Sequence, residues 1–514
     1  MNNARCVWVL PFVVASICLS GASSALAQGT TGTLTGTVVD SSSSAVPGAT
    51  VTATEGETAA VRTVVTNENG LFRITGLNPG RYTLKVELTS FKPVTVADIA
   101  LSSSEIRDLG KLTLQVGALT ETVSVTSEVT PVQVADSARR KTVTGDDLKN
   151  IQMKGRDIYN LLAVLPGVQD TNLNRDYSSW TSATQITING APSQNKDVRI
   201  DGINIVDEGG CGTAFVNLNM DAVNEIQVIS NGYTAENGRN NGGLINVVTK
   251  SGSNIFKGSA WYNGRRDEFN EIDYFRKANK QAKPLYDVNI GGYGFGGPLV
   301  IPGLIDARKA TTNKTFFFVS QEYTVDKRPT TTLRVNLPTA QERIGDFSQT
   351  RQTNGNILPI VDPKTGVQFP GNVIPPDRIN ALGQKMLNLL PLPNGILNLQ
   401  AGQEWTSNSA YDTTPEHGRT NTNIRIDQVY TSKTRQSFKF IKDRDDTWSY
   451  NNFVPGQGHV NNNTPGILIS STLTQVLKPT IVNEMNFGYT HNRWGFRAGP
   501  ETEVGSDFDY TKLL

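Results

Sequence analysis

From Phe256 onward the chain repeats one pattern: strand-length runs in which apolar and polar positions alternate, separated by polar loops. In "IFKGSAWYNG" Phe256, Ala260 and Tyr262 share a face. "TNIRIDQVYT" alternates through Ile424 and Ile426, "RQSFKFIKD" through Phe438 and Phe440, and "KTFFFVSQEYTV" is an aromatic run. The clearest pair is "GILISSTLTQVL", which turns through Lys478-Pro479-Thr480 into "IVNEMNFGYTHN". There Ile481, Met485, Phe487 and Tyr489 fall on one side, while Val482, Glu484, Asn486 and Thr490 mostly fall on the other. A period of two predicts strands with unlike faces. Segments that are apolar outside and polar inside, with short turns at one end and long loops at the other, fit an outer-membrane barrel. A soluble sandwich alternates equally well, so the period leaves both open.

The same period appears on a smaller scale in residues 28–116. "GTLTGTVVDSSSSAVPGATVTATEG" predicts a strand, a Ser-rich loop, a Pro-Gly turn and a second strand. "TVVTNENGLFRITGLNPGRYTLKVELTSF" predicts three more, with Tyr82, Leu84, Val86 and Leu88 alternating against Thr83, Lys85 and Glu87. Short strands with such turns suggest a two-sheet sandwich. Residues 117–136 read as a linker in which Thr and Val alternate; a lone extended segment of this kind invites pairing with another sheet edge, or else is an ordinary linker or the sandwich's last strand.

In residues 137–252 the period changes. Thr144 to Asp147 forms a capping-box-like start, with Asp in place of Glu. Ile158, Leu161, Leu162 and Leu165 are spaced as one face of a helix, stopped by Pro166-Gly167. The strands "QITING", "DVRIDGINIV", "VNEIQVIS" and "GGLINVVTK" follow, with a hairpin signal at Asp201-Gly202. The expected fold is therefore mainly β: a sandwich, an α/β domain, and the first strands of an antiparallel barrel over 253–514.

The N-terminus places these parts outside the cytoplasm. Arg5, the apolar run Val7 to Leu19 and the small-x-small site Ala25-Leu26-Ala27 predict a secretory signal over residues 1–27. Cys6 and Cys18 leave with it, so only Cys211 remains and no disulfide framework is expected. His417, His459 and His491 lie far apart, and no metal site is expected. A net charge of +1 gives no reason to expect a nucleic-acid partner. No later stretch approaches the ~18 apolar residues of a membrane helix, but a closed barrel needs none.

Two stretches invite a chemical reading that their context does not support. "GYGFGG", Gly292 to Gly297, matches G-x-G-x-x-G, yet Pro298 and "LVIPGL" follow where a phosphate-binding helix should open. "DRDDTWSYNN", from Asp443, has carboxylates in the style of a calcium loop but lacks its glycine, and is expected to be a solvated loop. No nucleophile, acid–base or cofactor motif is found, so neither an enzyme nor a cofactor is expected.

Several stretches resemble a known family. "GTVVD…VPGATVT", "TNENGLFRI" and "LNPGRYTLKV" are similar to the carboxypeptidase-regulatory-like domain, a transthyretin-like sandwich. "RDIYNLLAVLPGV", "ITINGAPSQNKDVRIDGINI", "VNEIQVISNGYTAENGRNNGGLINVVTKSGSNIFKGSAW", "GGYGFGGPL", "KTFFFVSQEY", "LPTAQERIGDFSQ", "DPKTGVQFPGNVIPPDRI" and "LPLPN" resemble TonB-dependent outer-membrane transporters of the Oar-like group. The resemblance implies a plug at 137–252 inside a barrel, and a place in the outer membrane of a Gram-negative bacterium, among its lipids. It implies energised uptake of a ligand such as a siderophore, cobalamin, glycan or peptide, with TonB as periplasmic partner. It also implies a TonB box at Glu121, Thr122, Val123, Ser124, Val125, Thr126 and Ser127, with Val123 and Val125 as anchors and Glu121 and Thr122 setting the approach. An adhesin that binds carbohydrate or protein without transport is the competing reading. Such barrels have about 22 strands, so a chain ending in "DFDYTKLL" is expected to be the N-terminal part of one, unable to insert and transport alone.

One stretch, "AENGRNNGGLINVVTKSGSN", sits where a glycine loop meets a strand. No helix follows to hold a phosphate. Gly238 is expected to end a short helical turn at a positive φ, and Gly242 and Gly243 to let one backbone cross another. Thr249 to Ser253 is expected to be the hinge into the first barrel strand.

Overall fold

The computed structural model describes residues 31–498 apart from short stretches, the longest being 127–137, 395–406 and 450–459. The expected signal segment, Glu121, Thr122 and Ser127 lie outside the described residues.

The sandwich has two sheets. β1 (Gly32–Asp40) lies between β4 (Leu71–Leu77) and β7 (Ile106–Leu114); the second sheet runs β3 (Val61–Val65), β2 (Thr50–Glu55), β5 (Gly80–Glu87), β6 (Val94–Leu101) and β8 (Val123–Thr126). Tyr82, Leu84 and Val86 point into the core with Leu34, Phe72 and Ile99, while Thr83 and Lys85 face solvent, as the alternation requires. Asn67 shapes the turn before β4 by accepting from the Asn69 and Leu71 amides at 3.0 and 2.9 Å. The segment read as a linker supplies β8, which pairs in parallel with β6. Of the alternatives left open for it, its described part, Val123–Thr126, forms the sandwich's last strand.

The plug region is built on a five-stranded sheet. Its order is β13 (Ile203–Asn204), β12 (Asp197–Ile200), β15 (Leu244–Thr249), β14 (Val223–Asn231) and β9 (Arg139–Thr144), with β12 and β15 parallel. β10 (Val168–Asp170) and β11 (Ile186–Ile188) form a separate ladder. Asp201 and Gly202 both take positive φ, +48° and +82°, the two-residue turn that matches strand twist. The capping box at Thr144 and Asp147 forms, but its helix is only Gly145–Asn150. The predicted helix over 158–165 is corrected: only Asn160–Val164 coil, as one 3-10 turn. Asp157 starts it by accepting from the Tyr159 amide at 2.9 Å, and Leu165 is extended because proline follows. Ile158, Leu161 and Leu162 are still core, so the spacing identified the buried residues while missing the backbone.

The third unit is one antiparallel sheet in the order β16 (Lys257–Arg266), β17 (Asp287–Pro298), β20 (Lys314–Lys327), β23 (Glu416–Val429), β24 (Thr434–Ser449), β25 (Val460–Lys478) and β26 (Ile481–Asn492); β27 (Gly495–Ala498) pairs with the far end of β25. Among the described residues it does not close, and β16 and β26 are its edges. Residues 430–433 turn tightly at one end, where β25 and β26 are also separated by only two residues, and 299–313 there hold a small hairpin of β18 (Val300–Ile301) and β19 (Ile305–Asp306). Connections at the other end are long: 267–286, 328–415 and 450–459. The middle one carries β21 (Thr331–Val335) paired with β22 (Ser409–Thr413), and the Asp362–Arg378 ion pair at 2.8 Å.

The outward face is apolar, with Tyr293, Phe295, Tyr323, Phe438, Met485, Phe487 and Tyr489 exposed. The inward face is polar, with Ser320, Glu322, Arg419, Asn421, Asn423 and Asp443 buried. "DRDD" is therefore not a loop: Asp443 to Asp446 lie within β24, and Asp443 and Asp445 turn inward where β23 supplies Arg419 to the first and His417 to the second. "GYGFGG" lies in β17, and a Cβ at Gly292 would come within 2.5 Å of the Gln321 carbonyl oxygen and the Trp261 ring.

Gly242 and Gly243 stand at a backbone crossing. A Cβ at Gly242 would meet the Asn195 carbonyl oxygen at 2.8 Å; Gly243 has φ +82° and would meet the Ile229 carbonyl oxygen at 2.9 Å and Ile188 at 3.1 Å. In the full-length protein Gly243→Val should destabilise the plug by roughly 2–4 kcal/mol, from left-handed strain plus overpacking. Increased proteolysis within 137–252 and entry of large antibiotics would report it; wild-type resistance and exclusion would refute it. Gly238 accepts from Asn240 Nδ2 at 3.4 Å and lines a cavity described below. The expected hinge is pinned: Thr249 ends β15 and donates to Asp201 from its amide and hydroxyl at 3.1 and 2.6 Å, and a Cβ at Gly252 would meet the Phe317 backbone at 2.4 Å.

Candidate functional site

Four groups of buried polar contacts fix the plug region inside the curved sheet. In the first, Arg419 on β23 binds Asp443 on β24 through Nε and Nη2 at 2.8 and 2.9 Å, and its Nη1 donates to the Ser178 carbonyl at 2.6 Å. Asp443 also accepts from the Asn217 amide at 2.9 Å, so one carboxylate joins two strands to a plug loop. The pair is diagonal across the ladder, since Asn421 is the register partner of Asp443. His417 contacts Asp445 in the same diagonal way and stacks on Tyr177 of the plug, ring centroids 4.2 Å apart.

In the second group Asn219 donates to Asn421 and Ser320, at 3.1 Å from its amide and 3.0 Å from its side chain. In the third, Arg156 takes φ +51° and reaches Asp221 on the plug and Glu322 on β20, the latter at 3.0 Å, with Trp261 Nε1 donating to the same Glu322 at 2.8 Å. In the fourth, Asp201 pairs with Lys439 at 3.0 Å, and Arg425 donates to the Thr249 carbonyl at 2.8 Å. Apolar contact adds to this: Ile441 and Leu468 of the sheet belong to the plug's own core cluster. Buried charges of this kind are costly unless paired, and Arg156, Arg419, Arg425 and Lys439 each have a carboxylate beside them.

At the end with long connections the plug surface opens into a cavity of about 880 Å³, lined among others by Lys196, Asp197, Asn204, Asp207, Asn240 and Asn241. Asn492, the last residue of β26, donates to Asp207 at 3.4 Å, which places this cavity at that end. Lys196 is buried and donates to the Ser193 carbonyl at 2.6 Å; burial lowers its amine to about 8. Asp197 holds Arg199 at 2.5 Å and Asn204 at 2.9 Å. Amide groups, one amine and carboxylates suit a ligand rich in hydroxyl or carbonyl groups. Among the described residues no group of three or more His, Cys, Asp or Glu is arranged to hold a metal.

At the opposite end the sandwich covers the mouth of the sheet. Ser103 donates its amide to Glu225 Oε1 at 2.9 Å, and its carbonyl accepts from Gln227 at 2.9 Å and Arg140 at 3.2 Å. Burial pushes the Glu225 carboxyl up. Lys257 pairs with Glu57 at 2.6 Å, and Thr31 donates to Glu484 at 3.0 Å. A second cavity, about 360 Å³, lies between the sandwich, the plug and the tight-turn end.

Of the residues singled out in the sequence, Val123, Ser124, Val125 and Thr126 lie together in β8 on the sandwich, and Gly238 lines the plug cavity beside the Gly242–Gly243 crossing. The structure does not bring these two groups together. Sequence reasoning missed the polar network inside the sheet; its signal was the alternate spacing of Arg419, Asn421 and Asn423, and of Asp443 and Asp445.

The family model of the outer membrane beta barrel domain matches residues 248–511, that of the TonB-dependent receptor plug domain residues 133–244, and that of the carboxypeptidase regulatory-like domain residues 33–115. The TonB-dependent transporter Oar of Myxococcus xanthus is 31% identical over 306 residues, covering 56% of this chain and 27% of that protein. Among solved structures, the outer membrane transporter YddB from Escherichia coli is 11% identical over 70% of this chain and 39% of its own, with a TM-score of 0.42. A ferric enterobactin receptor of Pseudomonas aeruginosa, solved with enterobactin, is 14% identical over 69% and 41%, with a TM-score of 0.35. The chain thus spans well under half the length of these relatives. Because the barrel match alone takes in more than half of the 514 residues, this chain belongs to the outer membrane beta barrel family, and it carries a TonB-dependent receptor plug domain and a carboxypeptidase regulatory-like domain ahead of the barrel.

Proposed function

We propose that the chain is the N-terminal part of an active transporter that carries a ligand across the outer membrane and does no covalent chemistry on it. The observation that carries this reading is a plug held in the polar hollow of an apolar-faced sheet by paired buried charges, with a cavity at one end and the TonB-box-like segment at the other. The long-connection end then faces outward and receives the ligand. The tight-turn end, with the sandwich, faces the periplasm, where TonB draws on Glu121 to Ser127. The amide-rich cavity favours a ligand bearing several hydroxyl or carbonyl groups.

The test is Val123→Pro in the full-length protein. Proline removes an N–H that an added strand needs. Energised uptake and crosslinking to TonB should fall to background while barrel levels stay normal. Uptake that survives at normal protein levels would place the box elsewhere.

A further inference from the structure

The sandwich has an edge that the chain itself covers. Without β8, β6 would be the outermost strand of its sheet. Instead the register runs Val94↔Val123, Thr95↔Ser124, Val96↔Val125 and Ala97↔Thr126, four of the seven residues assigned to the TonB box. The approach is prepared upstream. Lys92 donates its amide to the Gln115 carbonyl at 2.8 Å, Gly117 donates to Ser90 at 3.2 Å, and Phe91 bridges Val116. Residue 117 is thereby returned to the start of β6, with β7, in the other sheet, serving as the crossover that a parallel pair needs. β6 is itself fixed, because Val94 and Val96 are buried in the sandwich core. On its other side β8 has no partner strand among the described residues.

We propose that the sandwich is the docking platform for the TonB box, holding it as a strand so that TonB adds its own strand to the open edge of β8. This rests on the TonB-box reading given above. The physical reason is the cost of order. A coil must lose backbone freedom as it pairs, whereas β6 has already fixed these four residues. A strand has two hydrogen-bonding edges; β6 takes one and the other stays available for addition. Four parallel pairs are also few, so the box can still be drawn away when force is applied.

The experiment uses the full-length receptor carrying Cys211→Ser, Thr95→Cys and Ser124→Cys. Neighbouring strands lie about 4.8 Å apart, within the roughly 4.4–6.8 Å that a disulfide spans. Oxidation should form the 95–124 crosslink, and the locked receptor should capture purified TonB at least as tightly as the reduced one. Thr95→Pro, which breaks the β6 edge, should weaken capture about tenfold. If no crosslink forms, β8 is not seated on β6 and the proposal fails. If locking abolishes capture and reductant restores it, TonB takes the box by exchange and the platform is overturned. A crosslink that forms while neither state captures TonB removes the box reading, and the proposal with it.

Discussion

Asp443→Ala in the full-length protein should unseat the plug. The substitution removes the carboxylate that binds Arg419 at 2.8 and 2.9 Å and accepts the Asn217 amide. Both side chains of the pair are about 95% buried, at 5% and 4% exposure, so water does not replace the lost partner. A buried guanidinium whose one remaining hydrogen-bond partner is the Ser178 carbonyl, with Asp445 and Glu322 acting only through space, costs about 3–5 kcal/mol. The melting transition of the purified protein should fall, and cells should admit large antibiotics that the intact plug excludes. The double variant Arg419→Met/Asp443→Leu should regain much of this stability, because removing both charges also removes their desolvation cost. An unchanged melt and unchanged exclusion in Asp443→Ala would show that this network does not hold the plug.

Gly466→Val should act on the same interface by bulk. A Cβ at this position would lie 1.7 Å from the Phe215 carbonyl oxygen and 2.9 Å from Val216. No rotamer relieves a clash between a Cβ and a backbone atom, so the plug loop around Phe215 must move off β25. That displaces Asn217 and Asn219 from Asp443 and Asn421 as well. A loss of about 3 kcal/mol or more is expected, at the upper end for overpacking. Plug-directed proteolysis should rise while the barrel's resistance to heat in detergent is kept. Gly418→Ala in β23, between the inward-facing His417 and Arg419, is the control, since a Cβ there meets nothing within 4 Å. Equal behaviour of the two variants would refute the close approach.

The expectations that held were those a short window can carry. Alternation in "GRYTLKV" placed Tyr82, Leu84 and Val86 in the core, and alternation in "IVNEMNFGYTHN" placed Met485, Phe487 and Tyr489 on the outer face. The 158–165 spacing found Ile158, Leu161 and Leu162, though a proline two residues past the coil left room for only one 3-10 turn. "DRDDTWSYNN" was misread because four charged or acidic residues in a row look solvated when no partner is in view.

Taken alone, the sequence determined which residues of most strands share a face and where several tight turns fall, because period and turn chemistry are properties of neighbouring residues. Which strand lies beside which was decided by tertiary structure. The Arg419–Asp443 pair spans 24 positions, Asn217–Asp443 spans 226 and Ser103–Glu225 spans 122. A charge at an alternate position is equally consistent with water, ligand or a counter-ion until the register is set, and only the folded ladder sets it. The same holds for Val123 to Thr126: their pattern made them a strand in search of an edge, and the return of residue 117 to Ser90 decided that the edge is β6.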